Sequence, residues 1–222
     1  MPQEIKTICL SLPFKLGSVN CFLLKAETGY ILVDTGSSNQ RAGLEKELER
    51  AGCHPGNLKL IILTHGDFDH TGNAAYLRKK YATKIAMHEG DSGMLERGDM
   101  FWNRGKSNYL MRILVPILIG FGKSEKCEAN IYLEDGYDLN EYGFNAKVIS
   151  IPGHSKGSIG ILTISGNLIC GDLLMNDGSM PRLGYGYLAD FEPSIERLKN
   201  LEIKTVYPGH GEPFPMELFV KN

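Results

Sequence analysis

The chain lacks a Cys-x-x-Cys pair, and its five cysteines (Cys9, Cys21, Cys53, Cys127, Cys170) are scattered and odd in number. A disulfide framework is therefore not expected, and the thiols read as reduced. It also lacks an excess of either charge, with a net charge of −2 over 222 residues. That balance offers no basic groove for nucleic acid and no patch for an anionic membrane. The first residues, Met1-Pro2-Gln3-Glu4-Ile5-Lys6, hold no basic region followed by an apolar core, so no secretory signal is expected and the location reads as cytoplasmic. The longest apolar run, residues 110–121, is too short to span a bilayer; Arg112 interrupts it and Pro116 would kink a helix there. Ser155 has no G-x-S-x-G setting, so its hydroxyl reads as a loop-stabilising group, not a nucleophile. No repeat, low-complexity run or linker interrupts the chain, which reads as one domain over 1–222.

What the chain does have is a dense cluster of ligating side chains. Residues 64–73 read Thr-His-Gly-Asp-Phe-Asp-His-Thr-Gly-Asn. Ahead of them Leu58-Lys59-Leu60-Ile61-Ile62-Leu63 predicts a buried strand, and behind them Asn73 to Tyr81 predicts a helix. His65, Asp67, Asp69 and His70 thus fall on a loop at a strand end, where a rigid scaffold can hold a site. A solvated turn explains Asp and Gly there, but not two histidines interleaved with two aspartates.

Around this centre the pattern is α/β. Strands are expected at 5–10, 19–25 and 30–33, the last two forming a hairpin across Glu27-Thr28-Gly29. A helix follows over about 40–51, capped by Ser38 or Asn39, with Leu44 and Leu48 on one face. His54 reads as a surface residue, and His88 ends a short strand over 84–87. Later strands are expected at 131–133, 147–151, 159–164, 168–170 and 205–207, with a helix over 193–200 that carries Pro at a tolerated early position. Residues 181–187, rich in Gly and Tyr, read as a loop. Tyr185 and Tyr187 there are candidates to line a substrate pocket, although packing alone would also account for them. The segment over about 89–129 is an apolar insertion. It reads as a helix on the core, a lid over the ligand loop, or a contact between two copies of the chain, and a lid would suit an apolar substituent on the substrate.

Five short motifs stand in order: Asp34-Thr35-Gly36 after a strand, the His/Asp stretch, Pro152-Gly153-His154-Ser155, Cys170-Gly171-Asp172, and Pro208-Gly209-His210-Gly211. Together they resemble the metallo-β-lactamase superfamily, whose signature is H-x-H-x-D-H, with one departure: Asp67 replaces the second His. The resemblance implies a four-layer αβ/βα sandwich and two divalent metal ions, zinc first, with iron or manganese as alternatives. His65, Asp67 and His154 would form one site, and Asp69, His70 and His210 the other. Asp172 would bridge them, and Asp34 would support the ligand loops from behind. Read from its residue type alone, Asp34 is a turn carboxylate bonding local donors.

Two cations acidify a shared water to a hydroxide, which Asp69 would orient as the catalytic carboxylate. The expected function is hydrolysis of a small ester, thioester or lactone, nearest to the glyoxalase II-like branch, with a small acyl compound as the only expected partner besides a second copy of the chain. Two alternatives remain open: a mononuclear iron sulfur dioxygenase, and a metal-binding protein without turnover. Asp67 adds a negative charge and an oxygen donor, which favours harder metals than zinc or weakens the first site.

Overall fold

The computed structural model describes residues 4–12, 17–102, 104, 125–176, 178, 180–185 and 191–221. Alternation of buried side chains along the strands decides the layers. Six strands form the first sheet: β1 (Glu4–Ser11), β2 (Ser18–Ala26), β3 (Gly29–Val33), β4 (Leu58–Ile62), β5 (Lys84–Met87) and β6 (Ile131–Tyr132). β1, β2 and β3 pair antiparallel, and β3 through β6 run parallel. The two β-rich runs at the start of the chain thus make one edge of this sheet, as their pattern suggests.

β2 shows why its sequence is nearly all apolar. Cys21 and Leu23 face a helical layer formed by α1 (Arg41–Arg50) and α3 (Ala74–Tyr81), packing with Leu44, Leu48 and Leu77. Phe22 and Leu24 face the opposite way, onto the second sheet. A strand covered on both faces has no use for polar alternation.

The second sheet contains β7 (Ala146–Ser150), β8 (Ile159–Thr163), β9 (Asn167–Ile169), β12 (Thr205–Tyr207) and β13 (Phe214–Pro215). Val148, Ile159, Ile161 and Ile169 meet Phe22, Ile31, Val33, Leu60 and Ile62 across the interior. The outer face carries α5 (Glu192–Lys199) and α6 (Met216–Val220), with Ile195, Leu198 and Met216 against Leu168 and Val206. Helix, sheet, sheet and helix make the four-layer sandwich that the motif order implies.

Three local expectations change. The helix over 41–50 has no side-chain cap: residues 38–40 form a 3-10 turn, and Ser37 Oγ donates to Asn39 Oδ1. Residues 181–187 are not wholly loop, because β11 (Arg182–Leu183) pairs antiparallel with β10 (Leu174–Met175), its backbone donors and acceptors being met by the chain that follows Asp172. The strand expected to end at Ile164 stops at Thr163, where Thr163 and Ser165 hydroxyls bond in the turn and Ile164 is exposed. In the inserted segment, α4 (Glu89–Arg97) packs Met94 and Leu95 inward, with His88 Nδ1 accepting from the Gly90 N–H as its cap. The apolar run over 110–121 lies outside the described residues, as does Tyr187. Among the described residues no helix is long and apolar enough to cross a membrane.

Phe22 is fully buried between the sheets, with its ring edge-to-face to Tyr207 at 5.9 Å. Phe22→Ala should lower stability by about 3–5 kcal/mol, read as a fall in the urea midpoint at constant slope. A loss below about 1 kcal/mol would mean that the two sheets close over the gap.

A candidate metal centre at the strand ends

Every ligating loop leaves the C-terminal end of a strand: β3 leads to Asp34, β4 to His65 through His70, β7 to His154, β9 to Asp172 and β12 to His210. A short helix, α2 (Phe68–Thr71), turns Asp69 and His70 toward the centre. His65, His154 and Asp172 place one ligand atom each within 4.8 Å of one another, and so do Asp69, His70 and His210.

The imidazoles are aimed by their other nitrogen. His70 Nδ1 lies 2.9 Å from Asp34 Oδ2 and His210 Nδ1 lies 2.7 Å from the Ser18 carbonyl. His154 Nδ1 bonds the Tyr185 carbonyl. His65 Nδ1 lies 2.9 Å from Thr64 Oγ1, whose hydroxyl donates to Asp34 Oδ2 at 2.7 Å. Each Nδ1 faces an acceptor, so Nε2 is the nitrogen turned inward, and in a neutral ring it presents its lone pair to a metal.

Asp172 stands between the two groups. Its Oδ1 is 3.2 Å from His70 Nε2, and its Oδ2 is 3.2 Å from His210 Nε2 and 3.9 Å from His65 Nε2. Asp69 Oδ2 is 3.4 Å from His210 Nε2. Despite that proximity, among the described residues none forms a hydrogen bond with the buried His65 Nε2, His70 Nε2 or Asp172 Oδ1. Buried polar atoms cost free energy unless something satisfies them, and a divalent cation among these nitrogen and oxygen donors does so. The chain also leaves room: a Cβ on Gly209 would sit 2.2 Å from Asp172 Oδ1 and 2.8 Å from His70 Cε1. Only glycine lets the last loop approach this closely.

Two residues that the motifs do not mark shape the centre. Asp91 on α4 is fully buried. It accepts from the Gly66 N–H (3.1 Å), Ser155 Oγ (2.5 Å) and the Gly157 N–H (2.9 Å), tying the His65 loop to the His154 loop. Ser155 is thus the loop-stabilising hydroxyl its setting suggests. Arg104, from the inserted segment, points into the first ligand group, with Nη1 2.5 Å from Asp67 Oδ1 and Nη2 3.3 Å from His154 Nε2. Asp67 Oδ2 lies 3.1 Å from His154 Nε2 and 3.8 Å from His65 Nε2. Asp67 Oδ2 therefore lies beside both histidines of the expected first site while its Oδ1 faces a guanidinium, and Asp172 joins His65 and His154 as a bridging carboxylate would. No local pattern marks Asp91 or Arg104 in the sequence. Tyr185 reaches the centre by its carbonyl; its side chain is 72 % exposed, with Arg182 over the ring. His54 is exposed, its Nδ1 3.0 Å from the Pro55 carbonyl.

Burial pushes the Asp67 and Asp172 carboxyls up, but the opposing charges win. Arg104 and His154 hold Asp67, and His210 and His70 hold Asp172, far below the usual carboxylate range. His65 is held well below the ordinary imidazole value by burial and by His70 and His154 beside it. Burial also lowers His70 and His210, yet Asp172 with Asp34 and Asp69 around the one, and Asp172 with Asp69 around the other, raise both well above it.

Fold and site together define a metal-dependent hydrolase of the α/β sandwich type. The chain belongs to the metallo-beta-lactamase superfamily, whose family model matches residues 15–210. A probable metallo-hydrolase of Methanocaldococcus jannaschii is 31% identical over 88% of this chain and 88% of its own. A hydroxyacylglutathione hydrolase of Haemophilus influenzae is 27% identical, covering 86% and 85%, and an acyl-coenzyme A thioesterase of Bos taurus is 25% identical, covering 89% and 75%. Among solved structures, a metallo-beta-lactamase family protein of Thermus thermophilus superposes with a TM-score of 0.75 at 24% identity, covering 95% of this chain and 74% of that one. A protein solved in a di-iron-bound form superposes at 0.71 with 25% identity, covering 92% and 93%.

Removing Asp34 leaves the His70 Nδ1–H and the Thr64 donors without their acceptor. Asp34→Ala should weaken metal binding by about 10–100-fold in a calorimetric titration; unchanged affinity would mean that packing alone orients the histidines. A second expectation concerns pH. The raised pKa values of His70 and His210 give the metal-free fold a stabilisation that is full below the unfolded histidine value and is lost as pH rises through the folded values. A bound cation needs the same imidazoles neutral. The gap in Tm between metal-loaded and chelator-stripped protein should therefore widen from about pH 6 to about pH 8. A gap that narrows would overturn the assignment of these two histidines as ligands.

Proposed function

We propose that this hydrolase cleaves thioesters of small acyl groups. The observation that carries the reading is the set of four imidazoles, each tied at Nδ1 and directed by Nε2 at a site shared with Asp172. Two named relatives, a hydroxyacylglutathione hydrolase and an acyl-coenzyme A thioesterase, support the thioester class.

Two groups of donors could hold divalent metal, Asp69 with His70 and His210, and His65 with His154 and Asp172, and zinc, iron and manganese are all compatible with nitrogen and oxygen donors. When bound, the metal supplies a hydroxide at neutral pH and polarises the substrate carbonyl. The chain does the rest. Asp69, partly exposed at the mouth, accepts the hydrogen bond that fixes the attacking water and takes its proton. Thr64, Asp34 and Ser18 keep the ligand rings from turning. The Tyr185 carbonyl holds the buried His154 ring by its Nδ1.

The test is thiol release from acyl-coenzyme A and acylglutathione substrates, beside oxyesters and lactones, with protein loaded separately with zinc, iron and manganese. Thioesters should be favoured by at least about tenfold in kcat/KM. Preference for lactones or oxyesters would overturn the thioester assignment. Oxygen uptake with a persulfide and no hydrolysis of any ester would replace it by sulfur dioxygenation.

A further inference from the structure

We propose that the Arg104 guanidinium is the resident cation of the first ligand group, so that the protein holds one metal, at Asp69, His70, His210 and Asp172. This rests on the metal-hydrolase reading above. Arg104 is a built part of the site: its side chain is 2 % exposed, with Nη1 2.5 Å from Asp67 Oδ1 and Nη2 3.3 Å from His154 Nε2. The fork spans two of the three residues expected to bind the first metal. His154 Nδ1 is committed to the Tyr185 carbonyl, so a metal would reach this ring only through the Nε2 lone pair, and Nε2 lies 3.3 Å from Arg104 Nη2 and 3.1 Å from Asp67 Oδ2. A cation seeking that lone pair and the Asp67 carboxylate must displace a charged, paired guanidinium, and separating a buried pair is costly.

The approach of Arg104 is fixed by close packing of the segment before it. Gly66 lets Met94 of α4 sit over the ligand loop, since a Cβ there would lie 2.4 Å from the sulfur. Gly93 does the same for Trp102, whose Nε1 would be 2.1 Å from an added Cβ, and Arg97 stacks on the Trp102 ring at 3.9 Å. Met100 and Phe101 pack on Phe68, between Asp67 and Asp69 in the chain. The Arg104 N–H then donates to the Phe101 carbonyl, closing a turn that aims the side chain inward.

Arg104 answers the charge that the departure from the motif adds: Asp67 brings one negative charge to the first ligand group, and the guanidinium 2.5 Å from its Oδ1 brings one positive charge. The Asp67 departure and Arg104 thus form one unit: the carboxylate that replaces the second histidine exchanges a metal ligand for an ion pair.

The experiment is metal content of the full chain after saturation with manganese and desalting, for native protein and Arg104→Met, with circular dichroism to check folding. Native protein should hold about one metal, and Arg104→Met about two, a twofold rise. A second measurement needs no variant: the manganese electron paramagnetic resonance spectrum of native protein should be that of isolated ions. About two metals per native chain with an exchange-coupled spectrum would overturn the proposal and leave the metal-hydrolase reading standing. An unchanged single metal in a folded Arg104→Met would overturn the claim that Arg104 excludes the second. No metal in either protein at saturation would overturn both.

Discussion

The site depends first on one buried carboxylate, Asp34. It sits at the end of β3 with φ +60, a left-handed conformation that Asp tolerates better than most residues. From there Oδ1 takes the Thr64 N–H at 2.8 Å, and Oδ2 takes both the Thr64 hydroxyl and His70 Nδ1. One side chain thereby fixes the ring of His70 directly and that of His65 through Thr64. Thr35 and Asn73 fasten the same turn to the His70 backbone and to the loop beyond it. A buried carboxylate is costly unless fully hydrogen-bonded, and here the bonds that satisfy it are the bonds that aim the ligands.

The remaining loops are held from elsewhere in the sandwich. Asn20 on β2 donates from its backbone to the Gly209 carbonyl and from its side chain to Pro208 and Gly211, while Ser18 on the same strand positions His210. Asp91 links the loops of His65 and His154, and Ile159 donates to the Thr64 carbonyl to join the two sheets at the centre. The ligating side chains themselves crowd like groups in a dry place: the His65 and His70 rings are 4.1 Å apart and those of His65 and His154 4.6 Å. Such crowding lowers stability and is retained where a bound charge organises it. Rigid strand ends supply the order that the ligands alone would not keep.

The layers were legible in the sequence because each strand carries its covering in its pattern. The run of β4 before Thr64 and the two-sided apolar run of β2 required burial, and punctuation by Gly and Pro placed the turns. The motif residues were legible because they stand beside each strand end in the chain. What escaped had no local signature. The pairing of Arg182–Leu183 with Leu174–Met175 joins two-residue strands, too short for any period to show. A 3-10 turn, not a side-chain cap, begins the helix at Arg41. Asp91 sits in an amphipathic stretch where an acidic residue in the first helical turn is unremarkable, and only the fold sets it against Gly66, Ser155 and Gly157.

Asp67 shows how far a motif can be read alone. Its identity is visible in the sequence, but its role depends on what balances its charge once it is buried. A carboxylate in that position binds a metal if only imidazoles face it, and forms an ion pair if a guanidinium reaches it first. The chain holds 24 lysines and arginines, and nothing near residue 67 selects among them. The selection comes from packing: Gly66 and Gly93 admit Met94 and Trp102, the apolar cluster at Phe68 seats residues 100 and 101, and the next turn delivers Arg104. A substitution inside a ligand motif is therefore a statement about charge that some distant residue must complete, and here the inserted segment, which the basic sandwich does not need, completes it.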